Sequence, residues 1–276
     1  MKKKIFLLII ALLMMGVFPP MAARPKVGLV LGGGGAKGAA TIGALKVIQR
    51  AGIKVDYIAG TSIGAIIGGL YASGYSVSEL ETLFLSQEWQ DILEGHRVDA
   101  KLESLLSSRG KRYFSDTNIP FRCVATEMPI VEEVVLSSGK LSKAIRASMS
   151  IPELYEPVTW GDKELVDGGM VNNLPVDVVK QMGANIVIAI DLSQKEGTSL
   201  GFALGIGGLV DWALSRPDVS RYHINLEDVN VHIHPVLPDF TAMSFGHDNC
   251  ELMMKLGEKE ANAHWEELME LKNRQR

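Results

Sequence analysis

Two patterns of apolar positions alternate along this chain. Mainly apolar runs occur at Val27–Leu31, residues 55–59 and residues 185–192, whereas residues 39–51 and 141–147 carry apolar side chains at helical spacing. Short continuous runs are typical of strands that are buried on both faces of a parallel sheet. The pattern therefore predicts an α/β domain with buried, mostly parallel strands.

The other segments give weaker signals. Residues 76–79 form a capping box that predicts a helix through residue 85, and residues 158–166 read as a short hairpin. Residues 89–112 lack a clear period, which predicts an irregular cap over a cleft. Residues 248–272 predict one long packing helix.

A Gly-Thr-Ser-Ile-Gly sequence at residues 60–64 joins the apolar run at 55–59 to a second apolar stretch. A serine at the tip of such a strand-turn-helix unit is a nucleophile elbow, and the flanking glycines allow the two backbones to approach closely. We expect the hydroxyl of Ser62 to project into solvent. An ordinary Gly/Ser turn is the alternative, but the strand before it and the helix after it favour the elbow.

A glycine cluster at residues 32–38 follows the first apolar strand directly. Consecutive glycines can direct backbone N–H groups inward as an anion-binding nest, supported by the positive end of the following helix. An oxyanion hole needs this geometry.

The same cluster also fits a dinucleotide-binding turn, with Gly33, Gly35 and Gly38 in a G-x-G-x-x-G pattern. That motif requires an acidic ribose ligand about 20 residues later, at the carboxyl end of the next strand. Asp56 is at the right distance but begins the strand instead of ending it. A phosphate loop of the Walker type is excluded because Lys37 is followed by glycine, where magnesium needs a hydroxyl.

An Asp-Gly-Gly sequence at residues 167–169 follows the predicted hairpin and supplies a carboxylate base. Alone it would indicate only a turn, but none of the six histidines lies in a motif that would pair it with Ser62. His232 and His234 share one face of a late strand and could hold a metal. Since the sequence shows no cysteine or carboxylate cluster beside them, we expect a half-buried strand pair and predict no metal site.

Together these motifs resemble those of the patatin-like phospholipases, bacterial members included. The resemblance rests on residues 33–38, 60–64, 147–152 and 167–169, with Asn-Leu-Pro at 173–175, and it covers about residues 26–192. It implies a three-layer α/β/α sandwich with a mostly parallel central sheet. It also implies hydrolysis of lipid ester bonds by a serine/aspartate dyad, without histidine, metal or cofactor.

Carried over by motif, Ser62 is the nucleophile, Asp167 is the general base, and Gly34 and Gly35 supply the oxyanion hole. Lys37 stands where the family more often has arginine, so it keeps a positive charge for a phosphate or substrate contact but lacks the bidentate fork. The remaining motif glycines are Gly33, Gly38, Gly60, Gly64, Gly168 and Gly169. Aspartate is ordinarily too weak a base for this step, so its surroundings should raise its pKa. Partial burial of Asp167 is expected to do this, because burial disfavours the charged carboxylate.

The N-terminal residues predict a signal peptide at 1–23, followed by one lipid acyl hydrolase domain at 24–276. Three lysines precede a 14-residue apolar run at residues 5–18, too short for an ordinary membrane span. Cleavage is expected after Ala23, and the large Met21 leaves an uncleaved anchor as the alternative. The protein is then secreted or periplasmic, with Cys123 and Cys250 expected as free thiols.

Charge limits the partners. The net charge is −4, and it becomes −7 without residues 1–23, which contain three lysines and no acid. Such a protein is not expected to bind nucleic acid or anionic membranes electrostatically, so contact with a membrane surface should be transient and apolar. Two alternatives to a lipid hydrolase remain: a small-ester or thioester hydrolase with the same dyad, and a nucleotide-binding protein that uses residues 33–38.

Overall fold

A computed structural model describes residues 24–89, 98–193 and 219–275; the predicted signal peptide lies outside these ranges. The strands are β1 (Val27–Leu31), β2 (Tyr57–Thr61), β3 (Phe121–Met128), β4 (Glu132–Leu136), β5 (Val158–Trp160), β6 (Lys163–Asp167), β7 (Ile186–Ile190) and β8 (Val231–Ile233). The helices are α1 (Gly38–Arg50), α2 (Ile63–Ala72), α3 (Val77–Leu85), α4 (Val98–Ser108), α5 (Leu141–Ser148), α6 (Val176–Gln181), α7 (Val219–Glu227), α8 (His247–Ala263) and α9 (Trp265–Arg274). Within the described ranges, no helix combines the length and the apolar character needed to cross a membrane.

The strands form a single sheet whose centre is parallel. Strands β3, β2, β1, β7 and β8 run parallel in that order, and β4, β5 and β6 join by antiparallel pairing. Along β1, Val27, Leu29 and Leu31 belong to one apolar core, whereas Val30 belongs to a second core that includes residues of α6. Because alternate side chains point to opposite faces, helices must cover both faces. The predicted α/β fold with a central sheet flanked by helices is confirmed.

Strand β3 brings two chain segments together at one edge. β4 pairs with Cys123 to Glu127 along one side of β3. The other side is shared, because β2 pairs with residues 121–124 and β6 pairs with residues 125–128. Thr61 therefore lies opposite Val124, and Asp167 lies opposite the next residue, Ala125. The carboxyl ends of β2 and β6 meet at this point.

The structure tests three predictions about local elements, and they differ in outcome. The capping box at Ser76 is present, because its hydroxyl accepts a bond from the Glu79 N–H at 3.2 Å and its own N–H donates to Glu79 at 2.9 Å. The irregular cap predicted at 89–112 is wrong for Val98–Ser108, which forms α4 with Leu102 and Leu106 buried; residues 90–97 lie outside the described ranges. The single helix predicted at 248–272 is interrupted at His264, which separates α8 from α9.

Helix α8 packs tightly on α1, the helix that follows the glycine cluster. A Cβ on Gly43 would overlap the backbone carbonyl of Met254, and one on Gly257 would overlap that of Ala40. The two helices therefore approach at backbone distance, which only glycine permits. This contact anchors the helix that carries the glycine loop.

Candidate active site

Ser62 occupies the turn between β2 and α2 in a strained conformation, with φ 56° and ψ −124°. A non-glycine residue with positive φ is uncommon and is often found at functional turns. A Cβ on Gly64 would overlap the carbonyl of Leu31, and one on Gly60 would overlap that of Gly64. The turn is thus as tight as a nucleophile elbow requires.

The expected exposure of Ser62 to solvent is wrong, since the residue is only 2% exposed. It lines an apolar pocket of about 130 Å³. Other walls of that pocket are Ile66, Met149, Leu154 and Phe245. Ser62 therefore borders a space suited to an apolar substrate.

Asp167 ends β6 and is fully buried. Its Oδ1 accepts a hydrogen bond from the Gly169 N–H at 2.7 Å, and its backbone carbonyl accepts one from the Thr126 hydroxyl at 2.8 Å. Oδ2 makes no hydrogen bond of good geometry to any described residue. The Ser62 hydroxyl nevertheless interacts with this carboxylate closely enough to lower its pKa. Catalytic hydrogen bonds are often loose before substrate arrives.

The electrostatic setting suits a base that works near neutral pH. Burial raises the pKa of Asp167 to about 7, while the nearby Ser62 hydroxyl and the hydrogen bond from the Gly169 N–H act in the opposite direction and limit the rise. The direction agrees with the prediction, although the burial is complete instead of partial. Above neutral pH the carboxylate is ionised and able to take a proton from the serine.

The glycine loop lies directly beside the nucleophile. A Cβ on Gly33 would be 3.1 Å from the Cβ of Ser62. The N–H of Gly33 is occupied by the carbonyl of Asn173 at 3.3 Å. Within the described part of the chain, the N–H groups of Gly34 and Gly35 donate no hydrogen bond. Both are available for a substrate oxygen, so their assignment to an oxyanion hole stays a prediction that this geometry permits.

Packing holds the loop in place. A Cβ on Gly34 would come within 2.9 Å of the Cβ of Leu192, and Gly35 has φ 59° and lies against the backbone of Ala242. A side chain at either position would displace the loop. We therefore expect substitutions here to affect folding as well as catalysis.

Other motif glycines allow neighbouring segments to pack closely. A Cβ on Gly38 would overlap the Ile63 side chain, and one on Gly168 would overlap the carbonyl of Val124. Lys37 is only 3% exposed. It is not among the residues that line the pocket. Its contact with a phosphate or substrate remains a prediction.

Two supporting residues come from motifs whose roles the sequence left open. The Ser148 hydroxyl accepts the Ser62 N–H at 3.0 Å and donates to the Val124 carbonyl at 2.6 Å, so it ties the elbow to β3. Asn173 holds the glycine loop, since its side-chain amide donates to the Gly33 carbonyl at 3.3 Å. The sequence signal for both was their place inside motifs, at 147–152 and 173–175.

Asp56 is engaged elsewhere. It lies at the start of β2 and accepts hydrogen bonds from Arg24 at 2.6 and 2.8 Å and from the Val27 N–H at 3.0 Å. Burial would raise its pKa, but these partners outweigh burial and lower the pKa to about 2. The glycine loop follows the opposite end of the parallel strands, so Asp56 cannot serve as its ribose ligand.

The structure also tests two expectations, one about the cysteines and one about the histidine pair. Cys123 and Cys250 are free, as predicted; both are also buried, and burial raises the pKa of both thiols. The expectation that no carboxylate accompanies His232 and His234 is wrong. Asp191, at the end of β7, lies beside both. The sequence did not reveal this contact because Asp191 is 41 and 43 positions from His232 and His234. Only the pairing of β7 with β8 brings them together.

Comparison with known proteins identifies the family of this chain. The family model described as patatin-like phospholipase matches residues 29–180. This chain belongs to the patatin-like phospholipase family.

Several relatives carry the same kind of domain. The chain is 38% identical over 194 residues to patatin-like phospholipase domain-containing protein ZK370.4 of Caenorhabditis elegans, covering 63% of this chain and 14% of that protein. It is 35% identical over 198 residues to patatin-like phospholipase domain-containing protein 7 of Mus musculus, covering 65% and 14%. It is 33% identical over 206 residues to lysophospholipase NTE1 of Debaryomyces hansenii, covering 70% and 13%. The match thus spans about one seventh of the length of these relatives.

The fold has solved counterparts. The type III effector protein ExoU superposes with a TM-score of 0.50 at 14% identity, covering 90% of this chain and 54% of that chain. The ExoU–SpcU complex of Pseudomonas aeruginosa gives a TM-score of 0.50 at 17% identity, covering 90% and 52%. At this identity the likeness concerns the fold alone.

Proposed function

We propose that this protein is a lipid acyl hydrolase of the phospholipase A type that cleaves carboxylic ester bonds. The observation that carries the proposal is the meeting of Ser62 and Asp167 at the shared edge of β3, beside unengaged glycine N–H groups and an apolar pocket. These features would supply each component of an acyl-transfer site: nucleophile, base, oxyanion donors and a place for the acyl chain.

In the first step, the Ser62 oxygen attacks the ester carbonyl carbon while Asp167 takes the hydroxyl proton. Negative charge develops on the carbonyl oxygen, where the N–H groups of Gly34 and Gly35 would bind it. The protonated Asp167 then returns its proton to the leaving alcohol as the ester bond breaks. The acyl group remains on Ser62.

In the second step, water attacks the acyl-serine and Asp167 takes a proton from it. The same N–H donors bind the second oxyanion. Collapse releases the fatty acid, and the proton returns to Ser62. One carboxylate therefore serves as base and acid in alternation.

The pocket supports a lipid substrate over a small ester. Its lining beside Ser62 is apolar, and Met243, which also lines it, is 39% exposed at the surface. An exposed apolar side chain at a pocket lets a lipid pass from a membrane surface to the serine with little desolvation cost. The relatives named as phospholipases and lysophospholipases point the same way.

We also propose that the protein acts outside the cytoplasm, as a secreted or periplasmic enzyme released by cleavage after Ala23. Arg24 pairs with Asp56 and would hold the new N-terminus against the domain. Expression with the leader should give a protein in the extracytoplasmic fraction whose sequence starts near Arg24. Recovery of an intact Met1 end in the membrane fraction would favour the anchored alternative.

Fluorophosphonate labelling of the purified protein, followed by turnover of a lipid panel, tests the enzymatic proposal. We expect wild type to be labelled at Ser62, and Ser62→Ala to be unlabelled. Turnover of long-chain phospholipid or lysophospholipid should exceed that of short soluble esters. Faster turnover of short esters or thioesters would favour the small-ester alternative, and absence of labelling would favour a nucleotide-binding role for the glycine loop.

A further inference from the structure

A second cluster of chemically reactive side chains lies at the carboxyl ends of β7 and β8. Asp191 is 1% exposed, and its Oδ2 lies 3.0 Å from Nε2 of His232 and 3.2 Å from Nδ1 of His234. The Tyr222 hydroxyl donates to the same oxygen at 2.5 Å. Ser62 and Asp167 take no part in this cluster.

Convergence on one oxygen is the first reason to regard the cluster as a ligand site. A carboxylate oxygen offers about two lone-pair directions, yet three groups approach Oδ2. Oδ1 is already engaged by the Ser193 N–H at 2.9 Å. Two imidazole nitrogens and the carboxylate oxygen that they approach form a donor set typical of zinc-class metal ions.

Spacing is the second reason. The three ligand atoms lie within 4.8 Å of one another. Around a tetrahedral zinc with bonds of about 2.1 Å, ligand atoms are about 3.4 Å apart, so small side-chain rotations suffice. The rings of His232 and His234 are 5.4 Å apart and nearly perpendicular, at 80°, so their nitrogens can approach one ion from different directions.

Access is the third reason. The side chains of His232 and His234 are 34% and 23% exposed, whereas Asp191 is buried behind them. An ion could therefore enter from the histidine side. The Tyr222 hydroxyl, in contact with Ser193 at 3.2 Å, would keep its bond to the carboxylate and orient it.

We propose that Asp191, His232 and His234 bind a divalent transition-metal ion of the zinc class. Each imidazole presents a lone pair to the ion and carries its proton on the other ring nitrogen, and the ion replaces any proton held between the rings and the carboxylate. Binding to this site ties the end of β7 to the end of β8. Since Leu192 packs against Gly34, the ion would also steady the wall of the glycine loop.

The test uses the full chain without an affinity tag, stripped of metal with a chelator. Calorimetric titration with Zn²⁺ should show one site with a dissociation constant in the micromolar range or below, and Co²⁺ should bind at the same stoichiometry with a visible absorption band. Zn²⁺ should also raise the melting temperature, because it binds only the folded chain.

His232→Gln and His234→Gln should each weaken Zn²⁺ binding at least 100-fold and remove the thermal shift. His264→Gln is the matched control, because His264 lies near Glu260 and Glu267 on the helical surface and should leave binding unchanged. No stoichiometric binding at 100-fold molar excess of Zn²⁺, or binding that both the His232→Gln and His234→Gln variants leave intact, would overturn the proposal. The melting temperature of each variant without metal verifies that it is folded.

Discussion

At the scale of single residues, the site depends on how two ordinary side chains are held. Ser62 is forced into a positive-φ turn, and Asp167 is buried with one oxygen bound by Gly169. Strain directs the nucleophile, whereas burial makes a weak base stronger. Neither effect alone would give a catalyst, because the proton must move between these two groups.

The first prediction concerns that mutual dependence. Ser62→Ala and Asp167→Asn should each reduce kcat/KM on a soluble ester by at least 1000-fold, and the double variant should be no worse than the weaker single variant. Residues that act as one unit give non-additive losses. Melting temperatures at or above that of wild type would show that the folds are intact, and substantial activity in either single variant would remove the dyad.

The second prediction concerns pH. Because the active form of Asp167 is ionised and its pKa is raised to about 7 by burial, kcat/KM should fall tenfold per pH unit below about 7 and level off above it. The profile should be measured on a soluble, uncharged ester. A plateau that extends down to about pH 4 would mean that the base has an ordinary carboxylate pKa.

At the scale of elements, the dyad is a product of strand pairing. The two residues are 105 positions apart in the chain, yet β2 and β6 share one side of β3 and end at adjacent residues of it. Helix α5 then crosses this junction and supplies Ser148 as a tie between the elbow and Val124. The Ser148 hydroxyl therefore links the elbow to β3.

The third prediction tests that tie. Ser148→Ala leaves the Ser62 N–H buried without a partner and loosens the elbow, which costs about 1–3 kcal/mol. We expect kcat to fall about 10-fold to 100-fold with KM nearly unchanged, because the apolar pocket is not altered. Ser142→Ala on the same helix is the control, since its hydroxyl bonds to Glu103 at 2.6 Å. Equal effects of the two variants would mean that Ser148 only stabilises the helix.

Sequence patterns predicted those elements whose signal is local. Buried runs such as Val27–Leu31 and the tight turn at Ser62 follow from residues that are neighbours in the chain. The apolar residues of α4, Val98, Leu102 and Leu106, do have helical spacing, but this short signal was hidden in a mixed segment. The break at His264 has no glycine or proline beside it that would predict it from the sequence.

At the scale of the whole molecule, the sequence could not show the contacts between segments that are distant in the chain. The full burial of Asp167 and the place of Asp191 beside His232 both depend on which strands are neighbours. Motif spacing indicates which residues belong to a site, but it does not give their exposure or their electrostatic surroundings. Those properties decide how the protein responds to pH as a whole.

The last prediction follows from two aspartates with opposite pKa shifts. The folded-state pKa of Asp167 is raised above its ordinary value of 3.8 to about 7. Its contribution to the free energy of unfolding is therefore fully present below about pH 4 and is lost as the pH rises through 7. Asparagine stays neutral at every pH. Relative to wild type, Asp167→Asn should therefore gain stability as the pH rises from 5 to 8. The full gain is about 1.4 kcal/mol for each unit by which folding raises the pKa of Asp167.

Asp56 provides the matched control with the opposite sign. Its folded-state pKa is lowered to about 2 by Arg24, Val27 and Lys26, which outweigh burial, so its contribution is present above about pH 4 and lost as pH falls through 2. Asp56→Asn should therefore be less stable than wild type at both pH 5 and pH 8, by nearly the same amount. Urea unfolding at the two pH values measures both differences. If the stability gap between Asp167→Asn and wild type does not widen from pH 5 to pH 8, Asp167 does not have the raised pKa that a general base for Ser62 requires.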